Sequence, residues 1–425
     1  MVSNLTHPTF PDADNFKPRP RSGLFFVLAF KKSCAHNNSV MKNPFDTAER
    51  IAFRETLRQF IDAEIRPHAF EWDETGSVPW SLHEKLGALG IFGFGIEEVY
   101  GGLGTDDPFM RAIVSEEMGR IGYGGIAAAI GGRGISLDPI QRLAAPEIRD
   151  AVLKDIVSGK KGSSLGITEP GGGSDVARLT TTAKRDGNYF VINGSKTFIT
   201  GGMESDYFVI GARTGGDGLT GISLFFVDKD SAGFSRTPLT KKMGWWASNQ
   251  ATLYFDDCRV PATNLMGQEN YGFIAIMNNF NNERLGLIAQ SLGMMKAALE
   301  DSIEWAQQRK TFGKPLIKHQ VIRHKIADMS AKVDAVESYM NMICWNMEQA
   351  QNGKSEWPVA EISKGKFFTT KALEFVASEA MQIMGGAGYL RGNRVECIYR
   401  EVKVMAIGGG SEEIMRDLAI RQMGL

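Results

Sequence analysis

Apolar residues recur at helical spacing from Pro44 to about Gly159, as in Ile51, Phe53, Leu57, Phe60, Ile61 and Ile65, and later Phe109, Ile113, Met118 and Ile121. Spacings of three and four place such residues on one helix face, so this segment is predicted to be helical. From Ser163 to about Met266 the pattern changes to short runs of β-branched and aromatic residues: Thr180 to Ala183, Tyr189 to Ile192, Tyr207 to Ala212, Ile222 to Val227 and Thr252 to Phe255. The pairs Asp186-Gly187, Asn193-Gly194, Gly215-Gly216 and Asp228-Lys229 break these runs as turns, and the whole reads as an antiparallel sheet. Beyond Tyr271 helical spacing returns in long proline-free runs, Phe273 to Arg309, His319 to Gln351 and Val359 to Met384. Runs of about 30 residues span about 45 Å at the helical rise of 1.5 Å, a length that suits antiparallel bundle helices. The expected fold is a multidomain α–β–α chain: an N-terminal helical domain over 41-162, a central antiparallel β domain over 163-270 and a C-terminal four-helix bundle over 271-425.

Residues 1-40 stand apart. Pro8, Pro11, Pro18 and Pro20 interrupt any periodicity, and Gly23 to Phe30 form a short apolar run flanked by basic residues. The expectation is a disordered extension or a targeting segment. The run is far below the ~18 residues that span a bilayer, and no small-residue cleavage site follows it, so neither membrane insertion nor secretion is expected. An organellar transit peptide and an upstream extension ahead of Met41 are both left open, and with them a mitochondrial matrix or a cytoplasmic location. With 43% hydrophobic residues, 23% charged residues and a net charge of -1, the chain has the composition of a soluble globular protein with no bias toward nucleic acid. Four scattered cysteines without a CxxC pair, and six histidines without HExxH, predict neither a disulfide framework nor a metal site.

One stretch carries candidate chemistry: Leu165-Gly-Ile-Thr-Glu-Pro-Gly-Gly-Gly-Ser174-Asp175. Three consecutive glycines between the hydroxyls of Thr168 and Ser174 expose backbone N–H groups to a large polar ligand, and Pro170 fixes the entry angle. A plain surface turn has the same composition. There is no strand-GxGxxG-helix unit and no GxxxxGK[ST], so a nucleotide cofactor requires another kind of cradle.

With Gln382-Ile-Met-Gly-Gly-Ala-Gly-Tyr389 in the same α–β–α frame, this stretch resembles the acyl-CoA dehydrogenases, over about Met41 to Leu425. The resemblance implies an FAD-dependent enzyme of fatty-acid or branched-chain catabolism. It implies flavin contacts at Leu165, Ile167, Thr168 and Ser174, and at Phe198, Ile199 and Thr200, where Phe198 stands in place of a common Trp. It places Arg309, Thr311, Phe312, His319, Gln320, Gln382, Gly385 and Gly386 at the FAD pyrophosphate of a neighbouring subunit, which implies a homo-oligomer, a dimer of dimers. Ser411 and Glu412 are expected at the flavin or its ribityl chain. Ser174, Asn281, Arg284 and Gly410 are expected to bind the acyl-CoA substrate.

The implied reaction is α,β-dehydrogenation, which needs a carboxylate to take the α proton. Many relatives carry it in a Tyr-Glu-Gly-Thr segment, but this chain reads Ile407-Gly408-Gly409-Gly410-Ser411, with Gly409 at the glutamate position. Enzymes of the isovaleryl-CoA and long-chain type place the glutamate on the first long C-terminal helix, just before an arginine, and this chain has Glu283-Arg284 there. Glu283 is therefore the expected base, with burial raising its pKa toward the range useful for proton abstraction. The backbone N–H of Gly409 is expected to polarise the thioester carbonyl. An electron-transferring flavoprotein is the expected electron acceptor. Alternatives on the same fold are an acyl-CoA oxidase-type or other flavin reaction, and a DNA-binding or stress-related relative without dehydrogenase activity; the near-zero net charge weighs against the last.

Overall fold

The computed structural model describes residues 43–132 and 134–425, of which Thr47–Leu425 form one compact unit. The readings made for residues 1-40 lie outside the described residues. Seven helices come first: α1 (Ala48–Phe60), α2 (Ala69–Thr75), α3 (Trp80–Ala88), α4 (Pro108–Gly119), α5 (Gly124–Gly131), α6 (Leu137–Leu143) and α7 (Pro146–Val157). The side chains of Thr47 and Asp107 accept N–H bonds at the starts of α1 and α4, supplying partners that the first helical turn lacks. Most of the apolar stripe read from the sequence turns inward, with Leu57, Ile61, Ile65, Ile113 and Ile121 all buried, whereas Ile51 is exposed.

Eight strands follow: β1 (Ser163–Gly166), β2 (Thr182–Asp186), β3 (Tyr189–Thr200), β4 (Tyr207–Arg213), β5 (Ile222–Asp228), β6 (Phe234–Pro238), β7 (Gln250–Pro261) and β8 (Leu265–Met266). They form one sheet in the order β6-β7-β3-β2-β4-β5-β8, with β1 beside β4. Most pairings are antiparallel, but β1 and β2 both run parallel to β4. Its interior is apolar, with Phe190, Phe208 and Phe225 fully buried. The turn between β2 and β3 is Gly187-Asn188, one residue on from the pair read from the sequence, with Asp186 still paired to Tyr189. Asn193-Gly194 is not a turn: it lies inside β3, where the pairing with β7 slips and Gly194 takes a φ of +143°. A Cβ on Gly194 would come within 2.6 Å of the Thr181 hydroxyl, so close approach rather than chain reversal demands the glycine.

The long C-terminal runs form α8 (Gly272–Gln308), α9 (Gln320–Gln351) and α10 (Val359–Met384), within one or two residues of their predicted limits. Two shorter helices, α11 (Arg394–Ile407) and α12 (Glu412–Gln422), pack on α10 and complete the bundle. Helix α4 lies against α8 in direct backbone contact. A Cβ on Gly293 would sit 2.0 Å from the Glu116 carbonyl oxygen, and one on Gly119 would sit 2.1 Å from that of Gln290. No helix among the described residues is long and apolar enough to cross a membrane.

Candidate active site

Helix α8 brings the site together. Its first turns lean on the β domain: a Cβ built on Gly211 of β4 would lie 3.1 Å from Ile167 Cδ1 and 3.7 Å from Ile276 Cδ1. Glu283 follows Ile276 by seven residues, two turns and about 10 Å further along the same helix face. There it meets the glycine turn between α11 and α12. A Cβ on Gly409 would lie 3.8 Å from Glu283 Oε1 and 2.5 Å from Leu287 Cδ1. Residues 126 apart in sequence thus share one small space, and a side chain at 409 would compete with Glu283 and Leu287 for it. Gly409 also has a φ of +66°, a left-handed conformation that costs a residue with a Cβ about 1 to 2 kcal/mol.

The Glu283 residue is only partly buried, yet its Oε2 is sealed from solvent and has no hydrogen-bond partner among the described residues. Burial pushes its pKa up to about 7, against the opposing charges of Arg284 and Lys366. Arg284 Nε donates to the Gly409 carbonyl at 3.1 Å, and its Nη1 lies 3.3 Å from Asn281 Oδ1. Asn281, Glu283, Arg284, Gly409 and Gly410, all singled out from sequence, therefore form one constellation. Lys366 belongs to it and was missed. Fully buried on α10, it donates to Ala406 O at 2.9 Å and Gly410 O at 2.7 Å. Its signal in the sequence was a lysine on the inward stripe of α10, with Ile362 before it and Thr370 and Leu373 after.

Ser411 caps α12, accepting from Ile414 N at 3.4 Å. The Glu412 carboxylate, in the first turn of α12, is buried against the Thr370 hydroxyl at 3.0 Å and the Lys371 ammonium at 3.1 Å. Its side chain is thus engaged within the bundle.

The glycine-rich stretch forms the end of β1 and a tight turn closed by reciprocal Glu169–Gly172 backbone bonds, both 3.1 Å, with Pro170 in second position. Gly171, Gly172 and Gly173 are exposed, and none adopts a left-handed conformation. A Cβ on Gly171 or Gly172 would meet nothing within 4 Å among the described residues. Beneath the turn lies an ion pair that sequence reading overlooked. Lys196 Nζ, fully buried, contacts Glu169 Oε1 at 2.8 Å and Ile167 O at 3.2 Å. The same carboxylate accepts from Thr180 N, Thr180 Oγ1 and Thr181 N at 2.6 to 2.8 Å. Burial opposes its charge, but Lys196 and these donors hold Glu169 down at about 2, while burial brings Lys196 down to about 8.

Two residues beyond Lys196, Phe198 sits where β3 bulges against β7, at a φ of +59° and 63% exposed. An aromatic ring held outward by strained backbone at a bulge marks a place where a planar partner can lie. Thr200 ends the same strand, and its carbonyl accepts from Ser164 Oγ at 2.8 Å. Leu165, Ile167 and Thr168 therefore share one corner of the β domain with Phe198, Ile199 and Thr200; Ser174 lies further out on the exposed loop.

The remaining candidates lie elsewhere. Arg309 ends α8, and a two-strand hairpin, β9 (Lys310–Thr311) with β10 (Lys314–Pro315), carries Phe312 and Gly313 at its tip, both at positive φ. Phe312 is 96% exposed, and Thr311 Oγ1 lies 3.1 Å from His319 Nε2 at the start of α9, beside Gln320. Gln382, Gly385 and Gly386 cap the far end of α10, and a Cβ on either glycine would meet nothing within 4 Å. Among the described residues, Asp73, Cys397 and Glu401 cluster closely enough to suggest a metal. However, Asp73 pairs with Arg400 at 2.9 Å, and Glu401 accepts the N–H groups of Gly124 and Trp245, each at 2.6 Å.

Open glycine backbone beside an outward aromatic ring suits a cofactor with a flat ring system and a phosphate tail, so this corner of the β domain fits a flavin dinucleotide. With Glu283 Oε2 sealed and without a partner among the described residues on α8, the arrangement suits a flavin-dependent oxidoreductase. Sequence models of the acyl-CoA dehydrogenase N-terminal, middle and C-terminal domains match residues 47–160, 164–258 and 270–424. The long-chain specific acyl-CoA dehydrogenase of Sus scrofa mitochondria is 32% identical, over 89% of this chain and 87% of its own. The acyl-CoA dehydrogenase structure from Geobacillus kaustophilus is 31% identical with a TM-score of 0.83, covering 90% of this chain and all of that one. A glutaryl-CoA dehydrogenase from Mycobacterium smegmatis, solved with FADH2, is 25% identical with a TM-score of 0.82, over 89% of this chain and 95% of its own. The chain belongs to the acyl-CoA dehydrogenase family of FAD-dependent oxidoreductases acting on CH-CH bonds.

Proposed function

We propose that the protein dehydrogenates an acyl-CoA thioester to the trans-2-enoyl-CoA, with Glu283 as the base. The observation that carries this is the Glu283 carboxylate: its Oε2 is sealed from solvent without a partner among the described residues, and its Oε1 lies 3.8 Å from the place a Cβ on Gly409 would take. A carboxylate with a pKa of about 7 is matched to proton abstraction near neutrality, since it is substantially ionised yet remains a competent base. Glu283 takes the α proton, and the Gly409 N–H, which has no partner among the described residues, donates to the thioester carbonyl as enolate charge develops. Arg284 holds the Gly409 carbonyl, and so the turn, in place. Thr168, Phe198 and Thr200, with the backbone of Leu165, Ile167, Ile199 and Gly171 to Ser174, are the groups that hold FAD. FAD held there would supply the two-electron acceptor for the β hydrogen, which leaves as hydride. The exposed Phe312 hairpin, with Arg309, His319, Gln320, Gln382, Gly385 and Gly386, fits a role toward the cofactor of a neighbouring copy in a homotetramer, and an electron-transferring flavoprotein is the acceptor proposed for the reduced enzyme.

Glu283→Gln tests the assignment. The variant is expected to fold and retain flavin, while turnover and anaerobic bleaching by acyl-CoA fall by roughly 10³-fold or more. Near-normal bleaching by any acyl-CoA that reduces the wild type would remove Glu283 from the reaction.

A further inference from the structure

The Gly408–Gly410 turn is gripped by two cations from two different helices. Arg284 of α8 takes the carbonyl of Gly409, and Lys366 of α10 takes the next carbonyl, Gly410, together with Ala406 in the last turn of α11. One turn beyond Lys366 on α10, Thr370 bonds Glu412 on the other side of the glycines. Helix α10 therefore splints both ends of a turn that, with φ of +66° at Gly409 and +103° at Gly410, has no side chains to steady itself. An ammonium at the carbonyl end of α11 is also favoured by the helix dipole.

Burying a lysine completely is costly unless its charge is answered, and its two bonded carbonyls answer it only in part. The charged groups facing the ammonium are Glu412 and Glu413 of α12, and Glu283 and Arg284 of α8. Glu412 is already engaged by Thr370 and Lys371, and Glu413 lies exposed, whereas Glu283 has only Arg284 and Lys366 to offset its burial.

We infer that Lys366 is a positioning residue for the dehydrogenation: its ammonium fixes the Gly409–Gly410 turn against Glu283 and brings a positive charge to the side of the turn that the base faces. Burial brings Lys366 itself down to about 8, so that charge is largely present at neutral pH and fades above it. This rests on Glu283 being the base. Removing the charge leaves Glu283 with one counter-charge instead of two, so its proton is held more tightly and the base works only at higher pH.

The test is the pH dependence of kcat in the holoenzyme for wild type, Lys366→Gln, Lys366→Met and Lys366→Arg. Glutamine keeps a donor for the turn while losing the charge, which separates the two roles. In the glutamine and methionine variants the acid limb is expected to move up by about one pH unit, roughly a tenfold loss of rate on that limb. Arginine is expected to restore the limb toward its wild-type position. A second readout needs no turnover: the difference in thermal stability between each background and its Glu283→Gln derivative should change with pH around a midpoint shifted in the same direction. An unshifted limb in folded, flavin-bound Lys366→Gln would overturn the inference. That result, with Glu283→Gln inactive, leaves Glu283 as the base; an active Glu283→Gln variant removes both.

Discussion

As the proposed base, Glu283 trades stability for reactivity. Its folded pKa of about 7 lies above the ~4.3 of an exposed glutamate, so between those values the unfolded chain loses the proton while the native state keeps it. Protein stability from this group is thus full below about pH 4 and declines as pH rises to about 7. Glu283→Gln is accordingly expected to melt higher than wild type at pH 8, with the gain fading as pH falls toward 4. Thermal unfolding of the pair across that range is the check, and a constant offset would contradict the burial argument. In the wild type, kcat should rise with pH through about 7, because only the ionised carboxylate accepts the α proton. Gly409 is the other half of the arrangement. With a left-handed backbone and Leu287 Cδ1 within 2.5 Å of any Cβ, the position does not house a glutamate without moving its neighbours.

Among the elements, β1, β3 and the loop between them and β2 are held in register by Glu169 and Lys196. Lys196→Met would strand a buried carboxylate with only hydroxyl and amide donors, a loss of about 3 to 5 kcal/mol. Chemical unfolding and the flavin content of purified protein measure it, and a loss below about 1 kcal/mol would show that the pair is dispensable. Glu169 works in the opposite sense to Glu283: its depressed pKa adds stability above about pH 4.5, which disappears as pH falls toward 2. The long helices were legible from sequence because a proline-free 3.6-residue period over some 30 residues has few competing readings. Glu283 could be singled out as the candidate base because Gly409 vacates the alternative position. The strands β1 and β6 were not, since four or five residues rich in serine or bounded by proline carry little alternation. Nor were the parallel pairings, which depend on chain crossovers rather than on local pattern. Lys196 and Lys366 escaped notice for a shared reason: a lysine reads as surface unless one sees that its neighbours at the same period point inward.

The whole molecule is tied together where its three parts meet. Glu401 of α11 accepts the N–H of Gly124 at the head of α5 and that of Trp245 on the loop between β6 and β7, so one carboxylate links the N-terminal helices, the β domain and the bundle. Burial, then the nearby Asp73, raises it to about 7. Glu401→Ala orphans both N–H groups and is expected to cost about 3 kcal/mol. Because the lost bonds join domains, unfolding followed by calorimetry should broaden or split, whereas a single, unshifted transition would count against a linking role. The exposed turn at Gly171 to Gly173 has the reverse character. Among the described residues nothing occupies the room beside the first two, and none of the three has a backbone angle reserved for glycine. Selection for a well-folded chain is therefore indifferent to which small residue stands there, and a mutational survey scored by abundance would pass over the very positions that one scored by yellow colour would pick out first.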